Sequence, residues 1–351
     1  MPADRTARTV PGRRTVLLAG GALGAVAAAA GCGSGTGRPD TAEAPAGSGF
    51  PVTVEHKYGS TEVPAPPKRI VTVGLSDHDA VLALGEAGAL VGVTDWYGDY
   101  DHAAWPWAQD ALGGAEPEAM PRPESDRPDI ERVAALEPDL IIGLYSGITE
   151  EDYEALSAVA PTVAQHPDHP DWGAPWEEMT LSIGRALGKE DEAAALVEDV
   201  DRSFADAREQ YPDFEGTEVV LAERLDDGFV VRSRTDPRMR LLESLGFVMP
   251  EDLAERAGDK DVVDVSAEDF DLLDRDLLVW NAGWNPEMRE ELADMGVYTS
   301  LDVNRDGRAV IVDGEEISGA LTWSTALSLP YAVDKLAPLL AEALEGGGEK
   351  L

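Results

Sequence analysis

The chain has 351 residues, 68 of them acidic against 28 lysines and arginines, for a formal charge of −40. Such a surface cannot displace counterions from a phosphate backbone, which excludes a nucleic-acid partner; it is the solvated kind that keeps a protein in solution. With one cysteine there is no internal disulfide, so packing must supply the stability, and the length allows two lobes, each with its own core.

The first element in chain order is a targeting segment. Arg5, Arg8, Arg13 and Arg14 precede residues 15–30, which carry no charge, and Ala29-Ala30-Gly31 leads directly to Cys32. A basic region, an apolar core and small residues at a cut point make an export signal, assigned to residues 1–31 and outside the fold. The apolar run is shorter than the ~20 residues a membrane-spanning helix needs. Small residues followed by cysteine resemble the lipobox of bacterial lipoproteins. That resemblance implies that Cys32 becomes a lipid-bearing N-terminus, anchoring the protein at the outer face of the cell membrane. Arg13-Arg14 leaves both Sec and twin-arginine export open. Residues 1–31 hold four arginines against one aspartate, so their removal leaves a body near −43. Residues 32–50, rich in Gly, Ser, Pro and Ala, form a flexible tether with a coil span on the order of 20 Å.

Beyond the tether, strand and helix patterns alternate. Residues 69–74 form a β-branched strand, 77–88 an amphipathic helix with Asp77 at its N-cap, and 90–94 a second strand. A helix at 130–136, a strand at 139–143, a helix at 149–159 and the segment 161–164 complete the block. Trp176, Met179, Ile183 and Leu187 recur at spacings of three and four and end at Gly188, which predicts a helix with a glycine stop. A second helix covers 191–211. Strands return at 218–223 and 228–232, followed by helices at 236–245 and 266–273, a strand at 276–281, a helix at 286–295, a strand at 308–313 and a last helix at 329–344. This alternation implies parallel sheets with helices on their faces. The expected fold is α/β: two Rossmann-like lobes with central parallel sheets, at 51–172 and 190–346, joined by a connecting helix at 173–189 and followed by a tail at 347–351.

The two halves share a phrase: helix, turn, strand. It is Ile130-Glu131-Arg132-Val133-Ala134-Ala135-Leu136-Glu137-Pro138-Asp139-Leu140-Ile141-Ile142 in the first and Val265-Ser266-Ala267-Glu268-Asp269-Phe270-Asp271-Leu272-Leu273-Asp274-Arg275-Asp276-Leu277-Leu278-Val279 in the second. Together with Val63-Pro64-Ala65-Pro66-Pro67-Lys68-Arg69-Ile70-Val71, Tyr145-Ser146-Gly147-Ile148-Thr149 and Leu327-Ser328-Leu329-Pro330-Tyr331-Ala332, it resembles the periplasmic binding proteins that deliver ferric siderophores, haem or vitamin B12 to ABC importers. The resemblance covers about residues 50–345. It implies one rigid helix between the lobes, a ligand held in the cleft, and a monomer that is not an enzyme. It also implies a membrane permease with its ATPase as partner, no intrinsic cofactor, and Fe(III) present only as a siderophore chelate. In the family a glutamate near the start of each repeated helix docks onto permease arginines; the matching residues are Glu131 and Glu268.

In parallel α/β sheets, ligands meet the loops at the carboxyl ends of strands. That rule selects Trp96 and Tyr97, Tyr145 and Ser146, Arg232 and Arg234, and Trp284, with Trp323 in the loop before the last helix. Aromatics cover ligand area at small entropic cost, and arginine donates to the oxygens around a chelated Fe(III). The tryptophans have an equally ordinary reading as lobe core. Arg232 and Arg234 alternate along a strand and so share one side, where they could equally pair with surplus carboxylates. The resemblance adds support for Tyr145, since hydroxamate binders of the family place an aromatic hydroxyl in that loop. Those binders also carry an arginine several residues before the first docking glutamate; Arg122 and Arg127 lie nearest, at a different spacing, which leaves the ligand class open. Trp105 and Trp107 flank Pro106 and read as loop packing.

Neither metal-like pattern is assigned a metal. His166-Pro167-Asp168-His169 has no third ligand near it in sequence. Asp302-Val303-Asn304-Arg305-Asp306-Gly307, with Asp313 at the twelfth place, follows calcium-loop spacing, but a strand follows where a helix should begin, so it reads as a turn. No nucleophile elbow, zinc-protease helix or phosphate loop supports the less favoured reading of a surface hydrolase. Among ligands, a body near −43 suits a neutral or cationic ferric hydroxamate better than a trianionic catecholate; haem, cobalamin and a metal ion are the alternatives.

Overall fold

The computed structural model describes residues 49–95, 98–121, 127–225 and 228–351. Cys32, the signal segment and nearly all of the tether lie outside them, as do Trp96, Tyr97 and Arg122.

A hairpin of β1 (Val52–His56) and β2 (Gly59–Val63) opens the first lobe. It is followed by β3 (Ile70–Thr72), β4 (Leu90–Asp95), β5 (Glu118–Pro121), β6 (Leu140–Ile142) and β7 (Thr162–Val163). These five form one sheet in the order β5-β4-β3-β6-β7, with every pairing parallel. The second lobe contains β8 (Val219–Leu225), β9 (Gly228–Arg232), β10 (Val262–Val265), β11 (Leu277–Asn281) and β12 (Ala309–Val312), in the order β10-β9-β8-β11-β12. Here β8, β11 and β12 run parallel, while β9 is antiparallel to both β8 and β10. The departure from a wholly parallel sheet has a simple cause. Leu225 and Gly228 are too close in sequence for a parallel crossover, which needs a dozen or more residues, but they suit a hairpin.

Every residue of β3, β6, β11 and β12 is buried. These runs are continuously apolar apart from Thr72 and Asn281, as strands covered on both faces must be. In each sheet the first strand lies at the centre and the order reverses beside it, between β3 and β6 in one lobe and between β8 and β11 in the other. A crevice opens at the carboxyl ends of strands at such a reversal.

The helix Trp176–Leu187 buries Met179, Ile183, Ala186 and Leu187 in the first lobe's core. It stops at Gly188, whose φ of 68° is a left-handed cap suited to glycine. The next helix, Glu190–Gln210, has 21 residues and is about 30 Å long. Its Ala193 packs in the first core, while Val200, Phe204 and Ala207 pack in the second. Trp176 in the first of these helices and Leu196 in the second each pack against both cores, so the two helices together lie between the lobes.

The helix Glu315–Trp323 forms where a loop was expected, so Trp323 ends a helix. The Asp302 loop contains a short helix, Asp302–Arg305. Its acids are engaged: Asp302 with Arg305 at 3.0 Å, Asp306 with Arg308 at 3.4 Å and Asp313 with Arg289 at 2.8 Å. Among the described residues, no helix is long and apolar enough to cross a membrane.

Candidate functional site

At the first lobe's reversal, the helix Asp77–Ala83 starts just after β3. The buried Asp77 carboxylate accepts the backbone amides of Leu144 at 2.8 Å and Tyr145 at 3.0 Å. This fixes the loop after β6 and directs Tyr145. A β-carbon at Gly74 would lie 2.0 Å from Asp77 Oδ2, so only glycine leaves room for the carboxylate. Burial pushes Asp77 up to about 6 against the pull of those two amides. An acid raised in the folded state keeps its proton there after the unfolded chain has lost it. Stability therefore falls as pH rises from the ordinary value of 3.8 to about 6, by about 3 kcal/mol in all. Asp77→Asn is expected to remove this slope. Urea unfolding between pH 4 and 7 checks it, and parallel curves for the two proteins would contradict it.

The Tyr145 ring meets Trp172 edge-on at 5.0 Å. Burial raises its phenol pKa, with Arg238 and Arg232 opposing and Asp236 assisting. These charged groups come from the second lobe, so Tyr145 lies close to the junction of the two lobes.

At the second reversal, β8, β9 and β11 converge on a buried charge network. Arg232, at the end of β9, donates from Nε to Glu223 Oε2 at 2.7 Å, and its Nη1 lies 3.4 Å from Asp236. Arg238 reaches Glu223 Oε1 at 2.8 Å and holds Asp236 with two bonds of 2.7 and 2.8 Å. Asn281 Nδ2 donates to Glu223 Oε1 at 2.5 Å, and Ser318 Oγ donates in turn to Asn281 Oδ1. Burial pushes Asp236 up, but Arg238 and Arg232 more than offset it and hold the carboxyl below its ordinary range. The two buried arginines and two buried carboxylates cancel in charge, and the exposed Asp261 stands 3.9 Å from Arg232 at the edge of the network.

An aromatic cluster bridges the lobes. Trp105 stacks on Trp107 at 5.0 Å and packs on Tyr100 at 4.5 Å; from the second lobe it meets Trp284 at 5.8 Å and Trp323 at 6.5 Å, both edge-on. Gly319 permits the approach, since a β-carbon there would lie 2.5 Å from the Trp105 ring. Asp79 Oδ2 accepts from Trp107 Nε1 at 2.8 Å and from Thr325 Oγ1 at 2.5 Å, one donor from each lobe.

The structure thus brings Tyr145, Arg232, Trp284 and Trp323 toward the junction of the two lobes. Arg232 is there as part of the network, and Trp323 is buried. Ser146 is buried behind the loop, donating to the Gly143 carbonyl at 2.6 Å. Arg234 turns away, because β9 ends at Arg232 and strand alternation stops; it pairs with Glu243 at 2.9 Å and donates to the Met249 carbonyl. Arg127 clasps Asp152 at 2.7 Å. Trp105 and Trp107 pack across the lobes, on Trp284 and Trp323 and on Tyr331, beyond loop packing; the density of tryptophan at 96–107 is the signal for it in the sequence. Glu223, Arg238, Asp236 and Asp79 gave no local signal, since their partners are distant in sequence. Glu131 and Glu268 are exposed, in the first turns of Ile130–Ala135 and Ala267–Leu273. Among the described residues neither forms an ion pair.

A hollow of about 1080 Å³ lies elsewhere. Tyr211, Glu218, Arg275, Asp276 and Arg308 line it, at the amino ends of β8 and β11.

Residues 70–313 match the periplasmic binding protein family. A probable siderophore-binding lipoprotein of Bacillus subtilis, YfiY, is 27% identical over 290 residues, covering 78% of this chain and 82% of its own. Among solved structures, a periplasmic solute binding protein from Mycobacterium smegmatis is 32% identical with a TM-score of 0.73, covering 84% of this chain and 98% of its own. The iron uptake ABC transporter substrate-binding protein PiaA from Streptococcus pneumoniae is 25% identical with a TM-score of 0.69, covering 84% and 100%. Its complex with ferrichrome has a TM-score of 0.68 at 24% identity.

Proposed function

Because the chain belongs to the periplasmic binding protein family, we propose that it is the ligand-capturing component of an ABC importer for a ferric siderophore, with hydroxamates favoured. One observation carries this reading: the loops and strand ends beside the two topological reversals come together where the lobes meet, with an aromatic cluster around Trp105 and, near Tyr145, the Arg232–Glu223–Arg238–Asp236 network. A neutral network in a strongly acidic body suits a neutral ferric trihydroxamate. A tris-catecholate carries three negative charges and would require unpaired cations. The iron uptake protein PiaA supports an iron-bearing ligand.

The lipid on Cys32 would hold the protein at the outer membrane face, with the tether permitting movement; the lipoprotein relative YfiY supports this. A monomer would then present Glu131 and Glu268 to a permease and its ATPase. The panel of tests is direct: tryptophan quenching by ferric trihydroxamates, tris-catecholates and citrate. Saturable quenching by trihydroxamates at the lowest concentration is expected. Saturation by catecholates alone would reverse the assignment of ligand class.

A further inference from the structure

His166 and His169 are joined in space by Glu178, which the sequence places well apart from them. The imidazoles sit in the loop after β7, and Glu178 lies in the first turn of the helix Trp176–Leu187. Glu178 Oε2 is 3.0 Å from His169 Nε2 and 3.1 Å from His166 Nε2. The three ligand atoms lie within 4.8 Å of one another. We propose that His166, His169 and Glu178 bind a divalent transition-metal ion of the zinc class.

A tetrahedral ion with bonds of about 2.05 Å has ligand atoms about 3.3 Å apart, so the two nitrogen–oxygen distances are already close to that spacing. Two imidazoles and a carboxylate suit zinc, cobalt or nickel; calcium and magnesium prefer oxygen alone. The three side chains are partly exposed, at 20%, 26% and 40%, which leaves a side open for a water as fourth ligand. His166 and Glu178 border a hollow of about 290 Å³ whose rim also carries Glu55, Asp168 and Arg185, and the Arg185 charge is taken up by Glu190 at 2.7 Å. Loading moves the imidazole proton of His166 to Nδ1, displacing the long 3.3 Å bond that Nδ1 accepts from the Asp168 amide. The ion would fasten the loop to the start of the interlobe helices. The same segment continues to Trp172, which packs on Tyr145, so occupancy would also stiffen one wall of the cleft.

Tag-free full-length protein titrated with Co²⁺, then competed with Zn²⁺, tests the site. One equivalent of Co²⁺ should give saturable visible bands of tetrahedral intensity, abolished by Zn²⁺, and Zn²⁺ should raise the unfolding midpoint. His169→Asn and Glu178→Gln should each weaken Zn²⁺ by more than about tenfold, the least expected of a primary ligand when outer-shell partners alone are worth 10–100-fold. His102→Asn should not. Absence of one-equivalent saturation in the unsubstituted protein overturns the proposal whatever the variants do, and so does unchanged affinity in a folded Glu178→Gln.

Discussion

Glu223→Gln is expected to lower the unfolding midpoint by on the order of 10 °C. Glu223 is buried and takes charge from both Arg232 and Arg238. Without its charge, the two buried guanidiniums keep one buried carboxylate, Asp236, and the exposed Asp261 at 3.9 Å from Arg232. Breaking a buried ion pair on one side costs about 3–5 kcal/mol, because the orphaned charge stays desolvated. A body of this size loses about 2–4 °C per kcal/mol. Arg232→Met should be comparably damaging. The pair Glu223→Met with Arg232→Met should be milder than either, because Arg238 and Asp236 remain as a closed bidentate pair. Thermal unfolding by circular dichroism checks all four proteins. Additive losses in the double variant would contradict the account of the network.

Glu131→Ala with Glu268→Ala is expected to cut uptake of the ferric chelate at least about tenfold, the low end for two interfacial charge pairs, with chelate affinity unchanged. The topology supplies the reason. Each glutamate lies in the short helix before the fourth strand of its sheet, β6 or β11, and each of those strands pairs with the central first strand. The two carboxylates thus occupy equivalent places on two similar lobes, as a two-point contact with a membrane partner requires. A helix-terminal carboxylate with only a structural role predicts normal uptake. Radioactive iron uptake, measured beside equilibrium binding, separates the two readings.

The architecture was legible where burial makes strands continuous. Ile70 to Thr72, Leu140 to Ile142 and Leu277 to Asn281 stand out because both faces are covered. The hairpin β1–β2 escaped notice because its short strands alternate between buried and exposed residues and pack as a separate sheet. β5 ends in Pro121 at a sheet edge, and the helix Glu315–Trp323 contains Gly319, a poor helix former placed there for the Trp105 ring. The site divides in the same way. Tyr145, Arg232 and Trp284 follow from the strand-end rule. Asp79, Glu223 and Arg238 do not, because their roles come from contacts such as Asp79 with Thr325 across the lobes. Arg234 was misplaced by extending a two-residue period beyond the end of its strand. The link from His166 and His169 to Glu178 depends on how the last segment of the first lobe folds back on the next helix.

The central claim is a location: a ferric siderophore held between the two strand reversals. Iron-edge anomalous diffraction from crystals grown with a ferric trihydroxamate measures that location directly. The account predicts one iron peak in the cleft, between Tyr145 and Arg238. A peak in the large hollow beside Arg275 and Arg308, with an empty cleft, would contradict it.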